Sequence, residues 1–291
     1  MTIRLLKIFI EVVDCNNMSI AAKNLYISQP SVSQAISQLE NFYDIKLFER
    51  LSKKLYITES GKQLLSYARH IVALFYEMEE NIKSISNTLL KIGGTITVGT
   101  CVMSDIISRF NIKYPTIQTQ ILINNTSIIE EKILTNELDI GIVEGEVKSK
   151  EIICIPVIKD NLVLICNKTN TFANRDTVEL CELNNQPFIL REKGSGTREL
   201  FENYIKNAGF IIQEKWVCNN SDSIKQAVIA GHGLSVISER LVRNEISADI
   251  LKIVKINNVE FKRNFSVIYH KNKYISQYLK VFIESLSSWQ T

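Results

Sequence analysis

Two stretches of the sequence set hydrogen-bonding side chains at spacings that a core does not call for. The first is Arg191-Glu192-Lys193-Gly194-Ser195-Gly196-Thr197-Arg198, which opens a helix-like segment. Its two glycines let backbone N–H groups converge, Ser195 and Thr197 add hydroxyls, and Arg198 adds a fixed cation. That combination suits a small oxyanion and exceeds what a helix cap requires. Three other helix openings follow candidate strands. They are Gly99-Thr100-Cys101-Val102-Met103-Ser104, Val143-Glu144-Gly145 and Asn220-Ser221-Asp222-Ser223. In open α/β sheets ligands bind at the carboxyl ends of strands, often on helix N-termini. For Thr100, Ser221 and Ser223 taken singly, an ordinary cap is an equal explanation.

The second stretch is Ser28-Gln29-Pro30-Ser31-Val32-Ser33-Gln34-Ala35-Ile36-Ser37-Gln38-Leu39-Glu40. Val32, Ala35, Ile36 and Leu39 repeat at i, i+3, i+4 and i+7, one face of a helix. The opposite face carries Gln29, Ser31, Ser33, Gln34 and Ser37. Short neutral amides and hydroxyls on an outward face are suited to reading base edges in a major groove. Ser28 is placed to cap this helix, and Pro30 falls in its first turn, where a missing N–H costs nothing.

Other chemistries lack their residues. The three histidines, His70, His232 and His270, have no metal-ligand spacing partner and no obvious nucleophile beside them, so no catalytic or metal site is expected. The six cysteines are scattered with no C-x-x-C, as expected of free thiols in a reducing compartment. Lys+Arg 34 against Asp+Glu 31 gives a net charge of +3, which decides neither for nor against nucleic acid. No apolar run is long enough to span a membrane, and Met1-Thr2-Ile3-Arg4-Leu5 lacks the order of a signal peptide. The expectation is a cytoplasmic protein with no membrane partner.

The elements that must position these stretches follow from periodicity. Leu5, Ile8, Phe9, Val12 and Val13 predict a first helix ending at Asn16-Asn17. Ser19 is expected to cap a second helix, Ile20 to Leu25. With the polar-faced helix after a tight turn, this is a helix-turn-helix. Two short strands, Lys46 to Arg50 and Leu55 to Ile57, flank the basic tip Leu51-Ser52-Lys53-Lys54. They form a wing whose Arg50, Lys53 and Lys54 are placed to neutralise phosphates. Thr58 is expected to cap a long helix running to about Ser86. There Leu64, Ala68, Ile71, Phe75, Met78, Ile82 and Ile85 make a heptad seam that needs a partner helix. Gly93-Gly94 is expected as a hinge. Beyond it strands and amphipathic helices alternate, beginning with a strand at Thr95 to Gly99, and the region divides into two lobes with crossovers near Asn161 and Phe265. The expected domains are residues 1–58 as a winged helix-turn-helix, 59–88 as a dimerisation helix, and 93–291 as a two-lobed region. Lobe I takes about 93–161 and 266–291, and lobe II about 162–265.

Ala21-Ala22, Leu25, Ser28-Gln29-Pro30-Ser31-Val32-Ser33, Ile36, Leu39-Glu40, Leu47-Phe48-Glu49-Arg50 and Ile57-Thr58-Glu59-x-Gly61 together resemble the DNA-binding domain of LysR-type transcriptional regulators. The later region resembles their effector domain, a two-lobed fold like that of type 2 periplasmic binding proteins. Leu190 to Glu199 and Ile224 to Leu234 are most similar to the sulfur-assimilation, CysL-like branch, and regulators of carbon fixation share the loop. The resemblance implies a dimer or tetramer on an inverted-repeat operator in double-stranded DNA, RNA polymerase as a further partner, and no cofactor. Where many members carry Arg or Lys, this chain has Gln34, and glutamine reads adenine, so an A/T-leaning operator is expected. It also implies a small anionic effector, sulfite-like, at Thr100, Cys101, Met103, Glu144, Ser195, Gly196, Thr197, Arg198 and Ser221. A carboxylate or phosphate effector is the alternative, and a transport solute-binding protein the distant one. Peroxide-sensing relatives carry a reactive cysteine in the Gly194–Arg198 loop. Ser195 and Thr197 stand there instead, so no disulfide switch is expected at that loop. A redox role for Cys101 would require a lowered thiol pKa beside the anion site.

Overall fold

In the computed structural model, residues 1–51, 54–83 and 89–287 are described. The chain folds as two compact units, the first formed by Met1–Asn87 and the second by Thr88–Ile133 and Leu138–Thr291.

The first unit opens with α1 (Ile3–Cys15), α2 (Met18–Asn24) and α3 (Gln29–Tyr43). Leu6, Phe9, Val12, Ala21, Val32, Ile36 and Leu39 interlock as its core. The cap of α2 is Asn17, whose side chain accepts from Ser19 N at 2.8 Å and Ile20 N at 3.1 Å; Ser19, expected in that role, lies inside the helix. Asparagine two positions earlier satisfies two orphan donors at once, which a hydroxyl at Ser19 does not. Ser28 caps α3 as expected, accepting from Ser31 N, and Pro30 sits in the first turn. The wing follows as β1 (Phe48–Leu51) paired antiparallel with β2 (Lys54–Ile57). Lys53 and the side chains of Arg50 and Lys54 lie outside the described residues.

Helix α4 (Glu59–Lys83) starts from Thr58, whose Oγ1 accepts from Gly61 N at 3.0 Å and donates to the Lys46 carbonyl at 2.6 Å. A Cβ on Gly61 would come within 2.5 Å of the Leu47 carbonyl oxygen, so the Thr58-Glu59-x-Gly61 sequence fits the helix start against the strand before the wing. The heptad seam divides in use. Leu64 and Ala68 pack into the winged-helix core, whereas Ile71 and Met78 face solvent beside Tyr67 and Tyr76. Ile85 and the Ile82 side chain lie outside the described residues. Arg69 pairs with Asp14, and Lys7 Nζ lies 4.0 Å from the Tyr76 ring centre, both joining α4 to α1.

The second unit begins with β3 (Leu89–Thr95), then α5 (Ile96–Val98), a π-helical turn over Gly99–Met103, and α6 (Ser104–Lys113). Next come β4 (Gln118–Asn124), α7 (Thr126–Leu134), β5 (Ile140–Glu144) and the 16-residue β6 (Ile152–Asn167). The remainder is β7 (Thr177–Val178), β8 (Pro187–Arg191), α8 (Gly196–Asn207), β9 (Gln213–Cys218), α9 (Ser221–Ile229), β10 (Ser235–Ser238), α10 (Arg243–Ser247), β11 (Leu251–Ile256), β12 (Phe261–His270) and α11 (Gln277–Ser287). The main sheet runs β4-β3-β5-β12-β6-β11-β7, with β10 also on β6; β8 and β9 form a separate parallel pair. Two lobes result. One buries Ile92, Ile106, Phe110, Ile142, Phe265 and Phe282. The other buries Phe188, Leu190, Phe201, Val236 and Phe261, with a second cluster about Ile189, Ile224 and Leu251. Strands β6 and β12 pair along ten residue partners and run through both, with a bulge between Phe265 and Ser266.

Two expectations are corrected here. Of the stretch Thr95 to Gly99, only Thr95 is strand, the last residue of β3; Ile96 to Gly99 is helical. Gly93 and Gly94 are not a hinge but lie inside β3, paired with β4 on one side and β5 on the other. A Cβ on Gly93 would sit 2.7 Å from Leu138 Cδ1 and 2.9 Å from Ile129 Cγ2. The glycines let α7 press onto the strand; they do not loosen it. Gly93→Ala is therefore expected to destabilise the second unit by about 1–3 kcal/mol through overpacking. Urea unfolding followed by intrinsic fluorescence checks this, and a hinge would instead leave the midpoint unchanged.

Candidate functional site

The outward face of α3 carries the residues expected to meet DNA. Gln29, Pro30, Gln34 and Ser37 are exposed, and Ser31 and Ser33 are half-buried. Ser28 Oγ lies 2.8 Å from Ser31 Oγ, so these two hydroxyls are tied to the helix start. Asp44 closes the helix in left-handed geometry at φ 53°. The face therefore projects amide and hydroxyl groups from a capped, rigid rod, a form suited to entering a major groove.

The second site lies where the two lobes meet, and backbone makes the closest contact. A Cβ on Gly196 would fall 2.2 Å from the Glu144 carbonyl oxygen, and one on Gly145 would fall 2.5 Å from Gly196 Cα. Gly145 also has φ +95°, a left-handed value that favours glycine. Ser127 N donates to the Gly194 carbonyl at 3.3 Å, and Lys148 pairs with Glu199 at 2.7 Å across the same junction. A cavity of about 250 Å³ flanks it, with Gly145, Gly196, Asn203, Arg263 and Ser266 among its lining.

Beneath the junction a buried network joins β6, β12, β10 and α8. Asp160 and Arg263 face each other in register. Arg263 Nε donates to Asp160 Oδ2 at 2.7 Å, and its Nη1 donates to Thr197 Oγ1 at 2.8 Å. Ser238 Oγ donates to Asp160 Oδ1 at 2.7 Å. Among the described residues, Arg263 Nη2, Ser195 Oγ and Ser221 Oγ are buried without a hydrogen-bond partner. Ser195 is the N-cap residue of α8 but does not cap with its side chain, and Ser221 opens α9, which Asn220 caps instead. Buried polar atoms without partners are uncommon, and donors of this kind beside helix starts suit an oxyanion.

The remaining expected residues are distributed as follows. Glu144 is buried, with Thr95 Oγ1 and Thr97 Oγ1 donating to its two carboxyl oxygens, the latter at 2.9 Å. Thr100 is exposed and turns its hydroxyl onto the Ile96 carbonyl at 2.9 Å. Met103 is buried in the first lobe's core. Cys101 packs against the cores of both lobes, and burial, reinforced by Asp160, pushes its thiol up to about 11. That is opposite to the lowering a redox role would require. Arg198 is spent on Glu202, Glu214 and the Arg191 carbonyl. His232 stacks on Trp216, and His270 Nδ1 accepts from Asn272 N.

Sequence reading missed Arg263, Asp160, Thr95 and Thr97. Arg263 had a signal: it takes an inward position between Phe261 and Phe265 in an alternating strand, where a cation is out of place unless paired. The threonines were obscured because Thr95 to Gly99 read as a strand, whereas the strand ends at Thr95 and helix begins at Ile96.

Residues 86–290 match the family model for the LysR substrate binding domain, and residues 3–62 that for the bacterial regulatory helix-turn-helix protein, lysR family. The chain is 30% identical over 286 residues to the HTH-type transcriptional regulator CysL of Bacillus subtilis, covering 97% of this chain and 96% of that protein. Its second unit is similar to the regulatory domain of CcmR from Synechocystis in complex with 2-PG, at 26% identity and a TM-score of 0.65, covering 69% of this chain and 96% of that one. The whole chain shares the fold of CbnR, a LysR family transcriptional regulator, at a TM-score of 0.64, 20% identity and full coverage of both chains.

Two outcomes test this geometry. Ser195→Ala removes a hydroxyl without a partner and is expected to leave the melting temperature unchanged or raised, whereas Ser238→Ala strips a donor from buried Asp160 and is expected to cost about 1–3 kcal/mol. Calorimetry on the ligand-free protein compares the two. In alkylation by iodoacetamide read by mass spectrometry, exposed Cys154 and Cys181 are expected to react near neutral pH, while Cys101 gains rate only as pH approaches its pKa of about 11.

Proposed function

The chain belongs to the LysR family of DNA-binding transcriptional regulators, and on that premise we propose that it binds an inverted-repeat, A/T-leaning operator and responds to a small oxyanion. The family consists of regulators, not enzymes. The N-terminal unit reads DNA through α3, with Gln29, Ser33 and Gln34 at base edges. Arg50, Lys53 and Lys54 of the wing reach phosphates and the adjacent minor groove. Two such units act together, because one recognition helix alone makes too few phosphate contacts for useful affinity. The exposed Ile71 and Met78 on α4 support a homodimer through that helix, and a homotetramer on longer operators. Among the described residues no helix is long and apolar enough to cross a membrane, and the protein works in the cytoplasm beside RNA polymerase.

The observation that carries the effector reading is the set of buried donors without a partner among the described residues, Ser195 Oγ beside Gly196, Arg263 Nη2 in the cavity lining, and Ser221 Oγ at the start of α9. Gly196 and Thr197 add the start of α8, while Thr100, Met103 and Arg198 drop out of the set by their own bonding or burial. The similarity to CysL supports a sulfur oxyanion such as sulfite and target genes of sulfur or cysteine metabolism. The 2-PG complex of CcmR favours a second reading, a carboxylate or phosphate effector in a regulator of carbon metabolism. Effector binding shifts the population of lobe arrangements and, with it, the bend or spacing of the bound operator.

A thermal-shift screen of sulfite, sulfate, thiosulfate, phosphate, 2-PG and simple carboxylates separates the two readings. At least one oxyanion is expected to raise the melting temperature, and Ser195→Ala to lose most of that rise; no shift with any of them would reject the oxyanion reading. In gel shifts, Gln29→Ala or Ser33→Ala is expected to weaken operator binding by about 1–3 kcal/mol while leaving the effector response intact.

A further inference from the structure

Glu144 is a buried acid in a junction read as an anion site. It is 1% exposed, and its carbonyl is pinned by Thr126 Oγ1 at 2.7 Å. Its carboxyl oxygens are taken by two hydroxyl donors, Thr97 Oγ1 on Oε1 and Thr95 Oγ1 on Oε2. No ion pair to Glu144 is found among the described residues. Arg263 is turned to Asp160 and Thr197, and Arg191 makes two hydrogen bonds to Glu192. A buried carboxyl group without a cation partner is expensive to keep. Nothing in the packing asks for it, since Thr95 and Thr97 would be served by any acceptor. The residue after it is Gly145, in backbone contact with Gly196, so this acid, at the end of β5, stands against the loop that carries Ser195 and Thr197.

We propose that Glu144 is a built-in competitor for the effector, its carboxyl group holding the Thr95 and Thr97 hydroxyls that an incoming oxyanion takes over. The proposal rests on the oxyanion reading of this junction and adds how that site is regulated. In the free protein the two hydroxyls are satisfied internally, so the site does not fill with a weak background anion. An effector must bond to the partnerless Ser195 Oγ, Ser221 Oγ and Arg263 Nη2 strongly enough to draw at least one threonine away from Glu144. The internal acid thereby sets a concentration threshold and discriminates against anions that reach only part of the donor set.

Charge adds a second consequence. The groups facing Glu144 are Thr95 from the end of β3, Thr97 and Cys101 from the helical stretch after it, Thr126 from α7, Asp160 from β6, Arg191 from β8 and Arg263 from β12. Burial raises the Glu144 carboxyl above its usual range, opposed in part by Arg263. Protonation removes a like charge beside the bound oxyanion, so effector affinity is expected to rise as pH falls through that raised value.

Isothermal titration of the full chain with the oxyanion panel tests this, with sulfate used for the pH series because it keeps its charge throughout. Glu144→Ala is expected to bind oxyanions about tenfold more tightly or better, and Glu144→Gln, which keeps an acceptor for the threonines but not the charge, about threefold more tightly. Wild-type affinity for sulfate is expected to rise as pH is lowered, because the Glu144 carboxyl titrates above its usual range, and Glu144→Gln to flatten that slope. Should Glu144→Ala misfold, Glu144→Gln and its pH profile decide the matter. If oxyanions bind the wild type and either well-folded variant binds them no better, Glu144 is a ligand partner or a structural acid and the competitor idea is overturned. If no oxyanion binds the wild type or either variant, or if Ser195→Ala leaves the affinity unchanged, the underlying oxyanion reading fails instead.

Discussion

Arg263 and Asp160 meet in register on the two strands that run through both lobes, and the second unit is arranged around that buried pair. Taking both charges out of water is costly, and the pair is held by hydrogen bonds on all sides but one. Asp160 receives Ser238 as well as Arg263, and Arg263 reaches on to Thr197 at the start of α8. Four elements are thereby held in one geometry at the point where a bound group would lie. One guanidinium nitrogen, Nη2, is left over by this arrangement. A cation fixed on two sides and open on the third is preorganised for an anion, since no side-chain entropy remains to be lost on binding.

The fold of the first unit was legible in the sequence because its signals are local. Helix periodicity, the Ser28 cap, Pro30 in the first turn and the Thr58-Glu59-x-Gly61 run each act within a few residues. The one miss there, Asn17 instead of Ser19 as the cap of α2, is a choice between two good capping residues two positions apart. In the second unit the strand and helix alternation was legible, but the first strand was displaced. Leu89 to Ile92 fell between the expected helix and the expected effector region, and glycines at 93 and 94 read as a hinge. Only the packing of α7 explains why glycine sits in the middle of a three-strand ladder.

The site was half legible for the same reason. Gly194 to Thr197 announce themselves by composition in one continuous run. Arg263, Asp160 and Thr95 come from separate strands more than sixty residues apart in sequence, and no single window contains them. Arg198 illustrates the converse error. Its position in the loop suggested a ligand-facing cation, yet Glu202 one turn along α8 and Glu214 on β9 consume it. A charged residue in a promising loop cannot be assigned until its intramolecular partners have been counted.

The contact of Gly145 with Gly196 leaves room for no side chain on either. Lobe registry is therefore set by peptide backbone, which mutation alters little, while the neighbouring positions 144, 195 and 197 carry the chemistry. Those neighbours are free to drift among hydroxyl, carboxyl and thiol side chains without changing how the lobes seat. A lineage built on this frame can exchange one small-molecule effector for another by a few point substitutions, and the seating of the lobes need not be reinvented each time.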